Sequence, residues 1–537
     1  MSLDSPSWLK ARQSGALIHV SSLPSDTGIG NLGEGARRFV DFLAAAGFSH
    51  WQVCPVGPTG YGDSPYQSFS AFAGNPYFID LNELVEQELL TEEEISGLRE
   101  LPTDRVDYGK IYYTLWGILA KAHRRFDPQT FALNGGQSFH EFYESQSYWL
   151  DPYTSFMALK ARFGQRSWVE WPQEYRDPQK VAKIKLSPAE LSERSRHAFY
   201  QYVFFHQWKR LKEYANAKGI EIVGDIPIYV ALDSADVWSR RSNFLVHADG
   251  DLDSVAGVPP DYFSETGQLW GNPLYDWKHL EKNGYKWWIE RIRSSLELFD
   301  VLRFDHFRGF ADFWVVPSHA PDASEGAWEL GPGIGLFYAI ERAIPNAKFI
   351  AEDLGYINER VFNLRKETGY PGMKIMQFGY GHDDNNVNLP HFFEKNQVVY
   401  TGTHDNDTTQ GWLDSLEGEN RKCNFDYFNL HDNPTADRIV EAALASVARL
   451  VITPVQDLLG LGSSARMNCP GTSIGNWQWR LSPETFKHMT EDLPAHFREL
   501  NNRYHRIDDK VQRDYSAPPA PAPLDFPEPK KQEHSTL

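Results

Sequence analysis

Four short stretches of this chain end an apolar run in charge. The densest is Val301-Leu-Arg-Phe-Asp-His-Phe-Arg-Gly-Phe310. Val301 and Leu302 read as the end of a buried strand, and Arg303, Asp305, His306 and Arg308 follow at once. Arg303 and Asp305 are two apart, so an extended chain points them to the same side. A guanidinium beside a carboxylate favours the ionised carboxylate, which a carboxylate nucleophile needs. An ordinary surface ion pair has the same signature. The other three stretches are Ile220 to Asp225, Lys348 to Glu352-Asp353, and Gln397 to His404-Asp405. Acids grouped in this way suit glycosidic bond cleavage. One carboxyl attacks the anomeric carbon and a second protonates the leaving oxygen. A third stabilises the positive transition state.

On that chemistry Asp305 suits the nucleophile, because Arg303 keeps it ionised. Glu352 suits the acid/base, with neighbouring Asp353 as the like charge that raises its pKa. Asp405, with His404, suits a clamp on sugar hydroxyls and developing charge. Asp225 is read as bonding a sugar or bracing Arg303. The plain alternative for each acid is a solvated residue, and Asp353 and Asp407 are assigned to it. A metal site is the competing chemistry. His19, His306 and His404 are candidates, but no pair has close ligand spacing, so neither a metal nor a cofactor is expected.

Composition narrows the partners. The 537 residues carry a net charge of −19, which disfavours nucleic-acid backbones and anionic membranes. Aromatic residues make up 14%, with 17 Trp and 25 Tyr, more than a core needs; this suggests flat stacking surfaces, for which sugar rings are one candidate. Cys54, Cys423 and Cys469 are scattered and odd in number, so no disulfide framework or zinc motif is expected. No signal peptide and no bilayer-length apolar run is read, and a cytoplasmic protein is expected. Oligomeric state is not legible.

The elements that position these residues alternate. Strands are read at 16–20, 48–54, 220–224, 299–304, 348–352, 372–377, 397–402 and 449–453, most of them followed by a helical pattern. Eight such units predict an α/β fold, a (β/α)8 TIM barrel with large, mainly helical insertions after strands 2 and 3. Chemistry in such barrels sits at the carboxyl ends of the strands, which is where Asp225, Asp305, Glu352 and Asp405 fall. Residues 1–510 are read as one catalytic barrel, with a helical insertion at about 80–219. Residues of about 243–275 are read as an active-site loop with exposed aromatics, a lid or a platform. Gly57 to Gln67 is a shaped Gly/Pro loop, whose Tyr66 either stacks on substrate or pins the loop. The glycines around Gly28, Gly30 and Gly33 lack the spacing of a dinucleotide fingerprint. Residues 511–537 are a Pro-rich tail, expected to be disordered.

These residues also carry a resemblance. The stretches Gly57-Pro-Thr-Gly-Tyr-Gly-Asp-Ser-Pro-Tyr-Gln67, Gly224-Asp-Ile-Pro-Ile-Tyr229, Ala256-Gly-Val-Pro-Pro-Asp-Tyr-Phe263 and Gly267-Gln-Leu-Trp-Gly-Asn-Pro273 are four of its motifs. Arg303-Phe-Asp-His-Phe-Arg-Gly309, Ala351-Glu-Asp-Leu-Gly355, Thr403-His-Asp-Asn-Asp407 and Met467-Asn-Cys-Pro-Gly471 are four more. Together, and in this order, they make the chain resemble the amylomaltases, the 4-α-glucanotransferases or disproportionating enzymes related to the α-amylase clan. The resemblance implies a retaining double displacement on maltooligosaccharides and other α-1,4-glucans. Asp305 is then nucleophile, Glu352 acid/base and Asp405 transition-state stabiliser. Arg303, His404 and Asp225 line the cleavage subsite, and Tyr61 stacks under the donor sugar. Asp261, Tyr262, Phe263, Gln268 and Trp270 border the acceptor channel, and Asn476 is a further substrate contact. The alternatives are an α-amylase-type hydrolase and a non-catalytic glucan-binding relative. Intact Asp305, Glu352 and Asp405 argue against the second.

Overall fold

A computed structural model describes residues 8–507 except 61, 130–132, 134–135, 182, 261–263, 356, 380–385 and 473. Its strands, in chain order, begin with β1 (Gln13–Leu17), β2 (His50–Gln52) and β3 (Glu221–Ile226). Next come β4 (Ser254–Val258), β5 (Gln268–Pro273), β6 (Val301–Phe304), β7 (Asp312–Pro317) and β8 (Ala327–Leu330). The last are β9 (Lys348–Ala351), β10 (Gly372–Ile375), β11 (Gln397–Tyr400) and β12 (Leu450–Pro454). Eight of them close a barrel in the order β1-β12-β11-β10-β9-β6-β3-β2, every pair parallel. The chain therefore has the (β/α)8 architecture.

Strand alternation explains why the mouth of this barrel is charged. Leu17, Val223, Val301, Ile350, Met373, Ile375, Val398, Tyr400, Leu450 and Ile452 pack together as a buried apolar cluster inside the barrel. Side chains two residues further along share a face with these. Two beyond Val223 is Asp225, two beyond Val301 is Arg303 and then Asp305, and two beyond Ile350 is Glu352. The same periodicity that fills the barrel with hydrocarbon thus delivers its charges to the top layer. Parallel register aligns them across strands: Asp225 lies opposite Arg303, and Phe304 opposite Ala351.

Two expectations need correction. The first strand lies at 13–17, three residues earlier than read. Ile18, His19 and Val20 are buried but belong to the loop over the mouth, where Val20–Ser22 forms a 3-10 turn, so burial there imitates a strand. Residues 243–275 are more than a loop. β4 and β5 pair antiparallel and join β7 and β8 in a second sheet of order β5-β4-β7-β8. Their partners follow β6 in sequence, and local pattern reading does not reach pairing of that range. Trp270, on β5, is half-buried, its ring 6.2 Å from Tyr229.

Between β2 and β3 the chain is helical. The longest helices are Tyr108–Arg125, Phe139–Arg162 and Pro188–Ala217. Ser138 and Ser187 each start one with a reciprocal capping box to a glutamate three residues on. Trp168 and Trp171 are fully buried in the core of this region. The insertion braces the mouth from the side. Lys160, itself buried, donates to Asp233 at 2.6 Å. The Ala71 N–H donates to Asp236 at 2.7 Å, which ties the loop carrying Tyr66 to the segment after β3.

Candidate active site

Arg303 is the hub. Its Nη1 donates to both carboxylate oxygens of Asp225 at 2.7 Å and to Asp305 Oδ1 at 3.0 Å. Its Nε reaches the Met373 thioether at 3.4 Å. Side-chain exposure is 5% for Arg303 and 1% for Asp225, against 27% for Asp305. Burial disfavours the arginine's charge, but Asp225 and Asp305 outweigh it and hold the guanidinium protonated. Of its two sequence readings, Asp225 takes that of a brace. Burial raises the pKa of Asp225, and Arg303 opposes the rise. Its second oxygen also accepts the Tyr66 hydroxyl at 2.8 Å. Asp305 is the most accessible of the three and keeps one guanidinium bond.

Glu352 follows β9 and lies beside Asp305 by register. The His306 N–H donates to its Oε2 at 2.7 Å and the Leu354 N–H to its Oε1 at 2.9 Å. Burial pushes its carboxyl up to about 8; Arg303 pulls it down and Asp305 pushes it further up. The like charge that matters is therefore Asp305, across the strands, rather than its sequence neighbour Asp353. The reading of Asp353 as solvated is also corrected. It is buried, paired with Arg365 at 2.9 Å, and accepts the Met373 N–H at 2.7 Å. Alternation turns it away from the barrel interior, and it pins the start of β10 instead.

Asp405 is held differently. It lies on the loop after β11, with 46% side-chain exposure. Asn468 donates to its Oδ1 at 2.6 Å, and Arg466 Nη2 to its backbone oxygen at 2.6 Å. His404 Nε2 is 3.4 Å from the same Oδ1. The His404 ring stacks on Tyr66, centroids 5.2 Å apart at 19°, and Trp477 lies 5.6 Å from His404 and 5.9 Å from Tyr66. The loop is anchored below by buried Asp457, which accepts Thr401 Oγ1 at 2.5 Å and Thr409 Oγ1 at 2.6 Å. Asp407 accepts the Thr408 N–H and Ser463 Oγ, both at 2.7 Å.

Arg303, Asp305, Asp225, Glu352, His404 and Asp405 are thus brought together at the carboxyl ends of β3, β6, β9 and β11. Gln268 and Trp270 stand on β5. The Trp270 ring meets His306 edge-on at 4.9 Å, and its Nε1 donates to Gln268 at 3.1 Å. Asn476 spends its hydrogen bonds on its own loop, accepting from Cys469 N–H at 2.9 Å and donating to Thr472. Tyr61, Asp261, Tyr262 and Phe263 lie outside the described residues. Asn468 lies inside the Met467–Gly471 motif, yet neither it nor Arg466 or Trp477 has a site role legible in the sequence. Tyr66, which the sequence places between stacking on substrate and pinning its loop, brings both its hydroxyl and its ring into the cluster. Among the described residues no group of three or more His, Cys, Asp or Glu side chains converges for a metal ion.

A closed parallel barrel with accessible and buried carboxyls at its strand ends defines a barrel enzyme whose chemistry sits on that face. The sequence profile described as 4-alpha-glucanotransferase matches residues 18–486. A protein of Streptococcus pneumoniae serotype 4 named 4-alpha-glucanotransferase is 43% identical over 502 residues, 92% of this chain and 98% of its own. One of the same name from Thermus thermophilus is 46% identical over 480 residues, 88% of this chain and 95% of its own. Among solved structures, the amylomaltase from Streptococcus agalactiae in complex with acarbose superposes with a TM-score of 0.88 at 38% identity, covering 93% of this chain and all of that one. The chain belongs to the 4-alpha-glucanotransferase family and is a transferase of that kind.

Proposed function

We propose that this enzyme moves α-1,4-glucan segments between maltooligosaccharides by a retaining double displacement, with glucose or a maltooligosaccharide as acceptor. Asp305 attacks the anomeric carbon while Glu352 protonates the departing glycosidic oxygen. The acceptor hydroxyl then gives its proton to Glu352 and displaces Asp305, restoring the α-configuration. Asp405, with His404, holds sugar hydroxyls and stabilises the positive charge of the transition state. Arg303 and Asp225 fix the nucleophile. Tyr61 is assigned to the donor sugar. Asp261, Tyr262, Phe263, Gln268 and Trp270 are assigned to the acceptor side and Asn476 to a further substrate contact.

One observation supports this most: two neighbouring carboxyls are set to different tasks. Asp305 accepts a guanidinium hydrogen bond, whereas Glu352 is pushed up to about 8 and keeps its proton at neutral pH. Transfer outruns hydrolysis when an acceptor sugar is positioned and water is kept out, a task suited to the β4–β5 segment. Residues 1–510 act as one catalytic unit, without cofactor, in cytoplasmic starch, glycogen or maltose metabolism. No helix among the described residues is long and apolar enough to cross a membrane. Maltotriose tests the proposal. Glucose plus a ladder of longer maltooligosaccharides, with nearly constant reducing ends, supports transfer. A steady rise in reducing ends assigns the chain to hydrolysis.

A further inference from the structure

The turn after β6 has an unusual backbone. His306 adopts φ 50° and ψ 51°, the left-handed region that a side chain other than glycine's rarely occupies. This turn wraps Glu352. The Phe304 carbonyl accepts the Glu352 N–H at 3.1 Å, and the Phe307 N–H donates to the Glu352 carbonyl at 3.0 Å. Between them the His306 N–H donates to the Glu352 carboxyl at 2.7 Å. The side-chain bond comes from the turn and not from the barrel ladder. A strained residue persists only where its surroundings over-determine it. Here the His306 ring is half-buried and set edge-on to Trp270 at 86°. Gly309 leaves it room: a Cβ there would lie 3.1 Å from His306 Cδ2.

We propose that His306 is a positioning residue for Glu352. Its ring, packed against Trp270, holds the left-handed turn whose N–H fixes the Glu352 carboxyl beside Asp305. The proposal rests on the reading of Glu352 as acid/base. Glu352 faces Arg303 and Asp305 from β6, and the Tyr400 phenol from β11. The His306 and Leu354 N–H groups favour its ionised form. Losing the His306 bond therefore raises the carboxyl further and leaves it less well aimed.

The test compares substitutions by their tolerance of the left-handed region rather than by size. His306→Gly relieves the strain as it removes the ring, and His306→Phe keeps a ring against Trp270. Each is expected to lose no more than about fivefold in kcat. His306→Ala keeps the strain without the ring, so the turn relaxes. Its kcat falls about tenfold below that of His306→Gly, and its alkaline limb in kcat against pH moves upward. If the alanine variant does not fold, His306→Ser against His306→Asn gives the same comparison, because asparagine tolerates the left-handed region better. Equal kcat and equal limbs for glycine and alanine, or for asparagine and serine, would overturn the proposal. Glu352→Gln measured alongside separates the two failures. If it abolishes glucan turnover while the 306 variants agree, only the positioning role falls. If it retains turnover, the acid/base reading has fallen first.

Discussion

The two sides of the barrel mouth hold their acids by different means. On the β3–β6–β9 side, Asp225, Arg303, Asp305 and Glu352 continue strands whose preceding inward residues are packed hydrocarbon. Their places are set by register, and the protonation of Asp225, Arg303 and Glu352 by burial and by neighbouring charges. On the β11 side Asp405 stands on a loop, half in solvent, and is placed by side chains from a segment some sixty residues later, Arg466 and Asn468. The strand side suits groups that must keep one distance while bonds are made and broken. The loop side suits a group that grips sugar hydroxyls and must release them.

Substitutions on the strand side should therefore cost most. Asp305→Asn removes the nucleophile, and turnover should fall by about 10⁴-fold or more while maltooligosaccharide binding, measured by calorimetry, persists. Glu352→Gln should lower turnover of natural glucans about 10³-fold and remove the alkaline limb. In the wild type that limb should lie near pH 8, where burial places the Glu352 carboxyl. Glu352 is protonated below this value, so activity is present there and lost as pH rises through it. The same raised value predicts stability. The neutral fold form is favoured below the ordinary glutamate range, and that contribution is lost as pH rises through about 8. Glu352→Gln should thus raise Tm at pH 9 relative to the wild type and change it little at pH 5.

Asp225→Asn leaves the buried Arg303 with a weaker partner, so kcat should drop about 10²-fold and Tm should fall with it. On the loop side the effects should be smaller and purely kinetic. Asn468→Ala frees Asp405 to swing, and an approximately tenfold loss in kcat is expected with Tm nearly unchanged. A larger loss for Asn468→Ala than for Asp225→Asn would reverse the ranking of the two sides.

Legibility in the sequence divides along the same line. Asp305 and Glu352 are readable because charge follows directly on a short apolar run. Asp225 is readable for the same reason, although β3 extends past it to Ile226. Asn468 and Tyr66 are not readable from pattern, since each reaches the site through a loop whose path no periodicity encodes. Asp353 misled because adjacency in sequence is opposition on a strand: its neighbour faces the cleft and it faces the wall. The β4-β5-β7-β8 sheet escaped because β4 and β5 are short and broken by Gly and Pro, and their partner β7 lies beyond a barrel strand.

The covalent step offers the most direct test. Glu352→Gln given an α-maltosyl fluoride needs no acid to expel fluoride, yet lacks the base that activates an acceptor. The glycosyl–enzyme should accumulate, and peptide mass mapping should place one maltosyl group on Asp305. A group found on Asp225 or Asp405, or fluoride release with β-configured product and no adduct, would contradict the account.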